Sequence, residues 1–219
     1  MLNTLRLYYG LCRHFLYLEE MKGKESSKSC RPDLQAGRII NTSEMSVNRS
    51  RKSPGQVPGV EIGDIFYFRM EIACIGMHGP LQAGIDYISS SSIASSRGPD
   101  QSQHYDTPIA VSIISSGVYD SKDDGEVLVY TGQGGRGSAD KKKPHEDQKL
   151  ERGNLALEGS MKHALPIRVI RGVKDPSSPT GKVYTYDGLY RVVGCWTETG
   201  KSGFEEYKFR LCRLPRQSE

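Results

Sequence analysis

The chain has 219 residues, which suits one well-buried domain of ordinary size together with a flanking segment. Its hydrophobic fraction of 36% and mean hydropathy of -0.54 are low for a compact globule, so an appreciable part of the chain is expected in loops or tails. The net charge of +4 permits nucleic-acid binding without requiring it. The five cysteines form no C-x-x-C pair, which argues against a zinc site and fits a reducing compartment.

Residues 1–21 are predicted to form an amphipathic helix. Arg6, Arg13 and His14 interrupt its apolar run, so a signal peptide or a membrane span is not expected. Apolar side chains recur at intervals of three and four residues, which implies a docking partner that need not lie in this chain. This apolar face comprises Leu5, Tyr8, Cys12, Phe15 and Leu16.

Residues 22–54 are predicted to be a basic linker or arm, because Lys, Arg, Ser, Asn and Pro replace large apolar side chains there. The densest basic run elsewhere is Lys141, Lys142 and Lys143. Both stretches could meet phosphates, and a solvated surface is the alternative.

The folded domain is predicted to span 55–217 and to be rich in strands. Within 64–76, Phe66, Phe68, Met70 and Ile72 alternate with other residues, which is the period of a half-buried strand. β-branched and aromatic residues predict further strands at 109–115, 126–131, 165–171, 182–193 and 204–213. One main helix is predicted at 146–163, and the Ser-rich stretch 87–107 is predicted to be a mobile loop. The fold class is therefore α+β.

The motifs of catalytic and nucleotide-binding sites are weak or missing in this sequence. Gly132, Gly134 and Gly137 satisfy G-x-G-x-x-G, but Pro144 forbids an immediate long helix after them. The glycines more simply let a loop turn sharply after the strand at 126–131. His78 and His163 are interpreted as surface or hydrogen-bonded structural residues, since no H-E-x-x-H motif is present. No catalytic residue, metal site or cofactor is predicted.

Four short segments, in this order and at this spacing, together resemble the SET- and RING-associated (SRA, or YDG) domain. They are VPGVEIGD at 57–64, GIDY at 84–87, YTGQGG at 130–135 and YDGLY at 186–190. The DQKLERGNLAL segment at 147–157 resembles plant Su(var)-type histone H3 lysine methyltransferases. The resemblance implies a saddle-shaped, PUA-like β-barrel with flanking helices and a helical N-terminal arm. Such a domain would grip duplex DNA and rotate a methylated cytosine out of the stack.

By this resemblance Tyr119 and Tyr130 would enclose the extruded base between their rings. Extrusion costs a few kcal/mol of stacking and pairing, which two aromatic faces at about 1–3 kcal/mol each would offset. An acidic residue after the first tyrosine would accept from the cytosine amino group. Asp120 and Asp123 are the candidates and Asp120 is favoured, although the stretch 119–130 is one residue shorter than in most relatives. Core packing is the alternative role of the two tyrosines.

The resemblance also assigns residues outside the base pocket. Gln82 would fill the hole left by the flipped base, where its amide can bond the orphaned guanine edge. The lysine run 141–143 stands where several animal relatives carry an Asn-Lys-Arg finger. Bidentate base reading by arginine is therefore lost, and more phosphate contacts with a steeper salt dependence are expected. Arg136 and Lys149 are predicted to contact the DNA backbone.

The sequence thus predicts a chromatin-targeting module in the nucleus that binds methylated duplex DNA by base flipping and has no membrane association. The methyltransferases it resembles continue into a cysteine-rich zinc segment and a SET catalytic domain, whereas this chain stops at Glu219. Enzymatic activity is therefore not expected, and histone H3 is a partner only through a longer parent protein. The alternative is a nuclear scaffold that has kept the fold and lost methyl-cytosine recognition.

Overall fold

A long strand, β6, organises the protein, because it pairs with three other strands along its 18 residues. The structure is a computed structural model, and it describes residues 1–22, 31–43, 45, 47, 52–95, 105–116, 125–135, 146–215 and 217. The helices are α1 (Leu2–Met21), α2 (Pro32–Thr42), α3 (Arg69–Cys74), α4 (Ser90–Ser95) and α5 (Arg152–Lys162). The strands are β1 (Ile65–Phe66), β2 (Ile85–Ile88), β3 (Ile109–Ser115), β4 (Val127–Thr131), β5 (Pro166–Lys174), β6 (Lys182–Thr199) and β7 (Glu205–Arg213).

The seven strands form one mixed sheet in the order β2-β3-β5-β6-β7-β4, with β1 paired to β6 outside this path. All pairs are antiparallel except β3 with β5. Register shifts at Val169/Ile170 and Val192/Gly194 bend β5 and β6, as β-bulges do. Among the described residues β2 and β4 end the path without pairing to each other. The predicted α+β class is confirmed, and the sheet is open and saddle-like, without closure into a barrel by a β2–β4 ladder.

Two hydrophobic clusters lie on opposite faces of this sheet, because side chains alternate between the faces of a strand. Ile113 and Val169 belong to a cluster with Leu157 of α5, whereas their neighbours Ile114 and Ile170 belong to a second cluster. The second cluster also holds Val57, Val60, Phe66 and Ile72 from the segment before β2. The sheet is therefore covered by α5 on one side and by the 57–77 segment on the other.

The N-terminal helices form a third cluster, in which α1 packs against α2 and α3. Tyr8 and Cys12 of α1 are buried there, as the sequence predicted for one face of the helix, and the docking partner lies within this chain. Leu16, on the predicted face, is 48% exposed. Among the described helices, none combines the length and the apolar character that a membrane crossing requires.

Helix α2 lies inside the stretch that the sequence analysis described as a linker. Pro32 stands in its first turn, where the missing N–H is harmless, and Ala36 and Ile40 are buried four residues apart. The sequence did not predict this helix, because its buried side includes Gly37, a small residue that adds nothing to an apolar pattern. Met70 packs against Gly37. The N-terminal arm is thus a pair of helices on α3 rather than a chain without regular structure at 32–42.

The strand predicted at 64–76 is wrong beyond Phe66. Only Ile65–Phe66 is a strand, and Arg69–Cys74 forms α3. Met70, Glu71, Ile72, Ala73 and Cys74 are all buried, because the N-terminal helices cover one side of α3 and the sheet cluster covers the other. A short helix buried on every side has no polar face, so the 3.6-residue period that would reveal it is missing.

The other predicted elements agree with the structure to different degrees. The strand at 109–115 is confirmed with the same bounds, and those near 126, 165, 182 and 204 are confirmed, β6 being six residues longer than predicted. The main helix begins at Arg152 instead of 146, because Glu151 is extended and Arg152 has a φ of 49°. The predicted loop 87–107 begins with the end of β2 and with α4, and 96–104 lie outside the described residues.

A buried cation ties the start of the domain to the sheet. Arg168 of β5 donates to the carbonyl oxygens of Met77 (3.1 Å), Ser53 (2.9 Å) and Gly55 (2.6 Å). Burial lowers the pKa of its guanidinium to about 10, which leaves it charged at neutral pH. Since charge-assisted hydrogen bonds are strong, the segment from Ser53 onward is fixed to the core.

Candidate nucleic-acid interface

Tyr130 lies near the end of β4, where the open sheet leaves a gap between β4 and β2. The ring belongs to the core cluster on the α5 side and is 9% exposed, and burial raises the pKa of its hydroxyl to about 12. The hydroxyl reaches across the gap, because a Cβ atom placed on Gly84 would lie 2.6 Å from Tyr130 Oη. The glycine just before β2 is therefore required by the close approach of this tyrosine.

Gln133 bridges the same gap. With its carboxamide oxygen facing β2, the side chain accepts hydrogen bonds from the backbone N–H groups of Gly84 (2.7 Å) and Ile85 (2.6 Å). Both N–H groups lie at the start of β2, the strand that ends the path of the sheet on this side. The Gln133 side chain, which follows β4, thus joins the β4 end of the sheet to the β2 end, close to the Tyr130 hydroxyl.

The loop that follows β4 is held by side chains from the segment before and within α5. Asn154 Oδ1 accepts from Gln133 N at 2.8 Å, and Asn154 Nδ2 donates to the carbonyl oxygens of Gln133 and Lys149, each at 2.8 Å. Gln148 Nε2 donates to Gly132 O at 3.0 Å. Gly134 and Gly135 have φ values of 112° and 71°, which glycine adopts without strain. Gly132 to Gly135 therefore make a sharp, braced turn, as predicted for a loop after this strand, and Gly137 lies outside the described residues.

Gln82 is exposed on a short loop that begins after α3 and ends at β2. Both flanks of this loop are bonded to the core. Gly79 N donates to Asp86 Oδ2 at 2.9 Å, and Ile114 N donates to Gly84 O at 2.8 Å. Asp86 also forms an ion pair with Lys52, which binds the carbonyl of Tyr87 at 2.6 Å. The tip at 80–82 lies between these bonded positions, and Leu81 and Gln82 in it are exposed.

A second group of polar contacts lies just before the start of β4. The Tyr190 hydroxyl is 2.6 Å from Asp187 Oδ2 and 2.9 Å from the carbonyl oxygen of Gly125. Arg171 Nε donates to the same carboxylate oxygen at 2.7 Å. The YDGLY segment therefore places a carboxylate and a phenol close to Gly125, and the single phenol proton can be donated to either of the two oxygens.

Comparison with known proteins identifies the domain. Residues 53–217 match the SAD/SRA domain family. The chain belongs to this family. Over 218 residues the chain is 46% identical to the histone-lysine N-methyltransferase, H3 lysine-9 specific SUVH1, of Arabidopsis thaliana. That match covers 99% of this chain and 30% of the relative, so the chain spans less than a third of the length of that methyltransferase.

Two solved structures resemble the SAD/SRA chain. The crystal structure of KRYPTONITE in complex with mCHH DNA, H3(1-15) peptide and SAH has a TM-score of 0.83 and 37% identity, covering 99% of this chain and 43% of that chain. The SUVH5 SRA in complex with fully methylated CG DNA has a TM-score of 0.59 and 43% identity, covering 76% of this chain and 98% of that chain. The family resemblance predicted from the four segments is confirmed.

The sequence-predicted site residues of the SAD/SRA domain are only partly described by the structure. Tyr130 and Gln82 lie on the two elements that meet at Gly84, and Lys149 is exposed beside the Gln148 brace. Tyr119, Asp120, Asp123, Arg136 and the lysine run 141–143 lie outside the described residues. Among the described residues, no group of three or more His, Cys, Asp and Glu is placed to hold a metal ion.

Sequence reasoning missed the residues that support the site. Gln133, Gln148 and Asn154 were not singled out, although Asn154 interrupts a helix pattern with a residue that favours caps and turns. Arg69 was placed on a strand. His78 is buried and hydrogen-bonded, as the structural interpretation of this histidine predicted.

Proposed function

We propose that this SAD/SRA domain binds duplex DNA carrying methylated cytosine and takes the modified base out of the stack. The observation that carries the proposal is the junction at Gly84, where the loop bearing Gln82 meets the tyrosine at the end of β4. A base site and an inserting side chain would therefore lie side by side in the gap of the sheet. The related SUVH5 SRA was solved with fully methylated CG DNA, which supports the same ligand class here.

In this proposal Tyr130 forms one wall of the base site and Tyr119 the other. Asp120, with Asp123 as the alternative, accepts from the cytosine amino group, as a carboxylate can. Gln82 enters the duplex and bonds the guanine that has lost its partner. Because Tyr130 is almost enclosed, it offers only part of its ring, and most of the stacking area comes from Tyr119.

The surrounding cations bind the backbone of the duplex. Lys149 is exposed next to the braced loop, and Arg136 and the lysine run 141–143 come from the segment between that loop and Glu146. Each phosphate that a cation neutralises releases counterions, so the logarithm of the affinity falls with that of the salt concentration by about 0.9 per contact. A salt titration indicating two or fewer phosphate contacts would count against this arrangement.

The test is the binding of the purified chain to matched duplexes with unmethylated, hemimethylated and fully methylated cytosine, followed by fluorescence anisotropy at two salt concentrations. The methyl group alone is worth about 0.8 kcal/mol of burial, so a preference of roughly fourfold or more is expected. Tyr119→Ala should abolish the preference. Tyr17→Ala is the matched control, since Tyr17 is 57% exposed on α1.

Equal, salt-sensitive binding to all three duplexes would exclude the methyl reader and favour the alternative, a scaffold that has kept the fold. In that case Tyr119→Ala and Tyr17→Ala should behave alike. A folded Tyr119→Ala protein that loses methylated DNA would instead exclude the scaffold.

Within a longer protein this domain would direct a histone H3 lysine methyltransferase to methylated DNA in the nucleus. KRYPTONITE was solved with methylated DNA and an H3 peptide together, which supports such a combination. The chain by itself is proposed to lack methyltransferase activity. A methyl-transfer assay with histone H3 should give no signal above background, and any clear signal would overturn this part of the proposal.

A further inference from the structure

Two side chains donate hydrogen bonds to the same backbone carbonyl oxygen in the loop that carries Gln82. Arg69 Nη1 donates to the carbonyl oxygen of Ala83 at 2.8 Å, and His78 Nε2 lies 3.0 Å from the same oxygen. A carbonyl oxygen has two lone pairs, so both hydrogen bonds can form together. Ala83 is the residue directly after Gln82, which makes this carbonyl the nearest fixed point to the inserting side chain.

The protonation of His78 follows from its neighbours. Because Ala83 O can only accept, Nε2 must carry the proton, and Nδ1 then accepts from Ser112 Oγ at 2.9 Å. Both His78 and Ser112 are buried, and burial lowers the pKa of the imidazole to about 4. The ring is therefore neutral at physiological pH, with one fixed tautomer, and it links the loop to β3.

Arg69 is fixed by a different set of contacts. It is the first residue of α3, and its guanidinium lies 5.8 Å from the ring centre of Tyr184 on β6. Stacking of this kind orients a guanidinium before it makes its hydrogen bonds. Arg69 therefore links the loop to α3 and β6, whereas His78 links it to β3.

These links leave three residues, Pro80, Leu81 and Gln82, between bonded positions at Gly79 and Ala83. Proline fixes its own φ angle, so the freedom of this tip is small. A side chain presented by a loop that is already ordered loses less conformational entropy on binding.

We propose that Arg69 and His78 are positioning residues that hold the Ala83 carbonyl and thereby keep Gln82 in the conformation that enters the duplex. This inference rests on the proposed function. In this inference Arg69 and His78 act on the loop through the Ala83 carbonyl, and neither residue contacts the base.

A double-mutant cycle tests the inference on a short duplex with one fully methylated CG and 2-aminopurine beside the methylated cytosine. Arg69→Met should weaken binding roughly two- to tenfold, the effect of one net hydrogen bond. The same substitution in a Gln82→Ala background should change the affinity by less than about twofold, because the side chain to be positioned is gone. The 2-aminopurine signal, which reports opening of the stack, should fall in Arg69→Met and in Gln82→Ala alike.

The salt dependence separates positioning from a direct phosphate contact. If Arg69 acts only through Ala83, the slope of log affinity against log salt is the same in wild type and Arg69→Met. A slope lower by about 0.9, together with an equal loss in both backgrounds, would mean that Arg69 binds a phosphate and would overturn the inference. Arg13→Met is the matched control, since it removes an exposed cation from α1, outside the basic stretch 22–54.

His78 gives an independent test. His78→Gln keeps an N–H donor near the position of Nε2 and should retain most of the affinity, whereas His78→Leu removes the donor and should behave like Arg69→Met. If His78→Leu does not fold, the Arg69→Met cycle still decides. Wild-type protein without methyl preference would end the proposed function and this inference with it. A different outcome would end this inference alone. The wild type would prefer methylated DNA and Gln82→Ala would weaken its binding, but Arg69→Met would cause the same loss of affinity with and without Gln82→Ala.

Discussion

The stability of the protein should depend on pH through two buried groups that oppose each other. Burial lowers the pKa of His78 from 6.5 to about 4 and raises that of Glu71, at the junction of α1 and α3, from 4.5 to about 7. Tyr9 and the backbone N–H groups of Tyr67 and Phe68 favour the charged carboxylate and offset only part of its burial. Between the ordinary and the shifted values, the folded protein holds fewer protons than the unfolded chain at His78 and more at Glu71.

The sign of each effect follows from these proton counts, since unfolding free energy rises with pH where the unfolded state binds more protons. The His78 contribution is complete above pH 6.5 and is lost as the pH falls to about 4. The Glu71 contribution is complete below pH 4.5 and is lost as the pH rises through about 7. Each pKa shift of about 2.5 changes the unfolding free energy by about 3 kcal/mol over the full pH range, and about 2 kcal/mol of this change falls between pH 4.5 and 6.5.

Two substitutions separate the contributions of His78 and Glu71 to the pH dependence of stability. In Glu71→Gln only the histidine effect remains, so the unfolding free energy from urea titrations should rise by about 2 kcal/mol from pH 4.5 to 6.5. In His78→Gln it should fall by a similar amount. Other carboxylates contribute to both variants and cancel in the comparison, which leaves a difference of about 4 kcal/mol. A difference below about 1 kcal/mol, or one of the opposite sign, would refute the assignment of these protonation states.

Three further substitutions test single contacts. Tyr8 Oη is buried beside the Cys12 thiol, a weak acceptor, so Tyr8→Phe should change the unfolding free energy by less than about 1 kcal/mol in urea titrations, and a loss of more than about 2 kcal/mol would mean that the hydroxyl has a stronger partner. Gly84→Ala should weaken methylated-DNA binding severalfold in anisotropy titrations, because its Cβ would lie 2.6 Å from Tyr130 Oη, whereas Gly79→Ala, with Asp86 at 3.5 Å, should bind normally. Asn154→Leu should cost about 2–3 kcal/mol of stability and roughly tenfold in affinity, since it removes three hydrogen bonds from the braced loop, and unchanged binding by a stable variant would contradict that role.

The strands after residue 105 could be predicted because their side chains alternate or form short apolar runs bounded by turns. β3 was recognised with its exact bounds, since six of its seven residues are buried and β-branched residues dominate it. β6 was predicted too short because Gly194 interrupts its pattern and its last three residues are polar and exposed, whereas the ladder to β7 continues to Thr199. Pairing between distant strands is information that a local pattern does not contain.

The supporting residues of the site could not be found for a related reason. Family resemblance assigned Tyr130 and Gln82 from short motifs that are each contiguous in sequence, YTGQGG at 130–135 and the residues just before GIDY at 84–87. Asn154 braces Gln133 across 21 residues, and Arg69 holds Ala83 across 14. Polar residues at such separations have no periodic relation to each other, so their partnership is fixed only when the sheet brings the segments together.

The gap between β2 and β4 makes the geometry of the site depend on side chains in place of a backbone ladder. An edge strand exposes unpaired N–H groups, and at Gly84 and Ile85 the amide of Gln133 satisfies them. A ladder would fix the distance between β2 and β4 at the usual strand spacing of about 4.8 Å. Here the carboxamide of Gln133 joins the two ends through a side chain. It follows that Gln133 sets how far the loop of Gln82 stands from Tyr130, so a shorter amide at this position should move the inserting side chain relative to the pocket without changing either one.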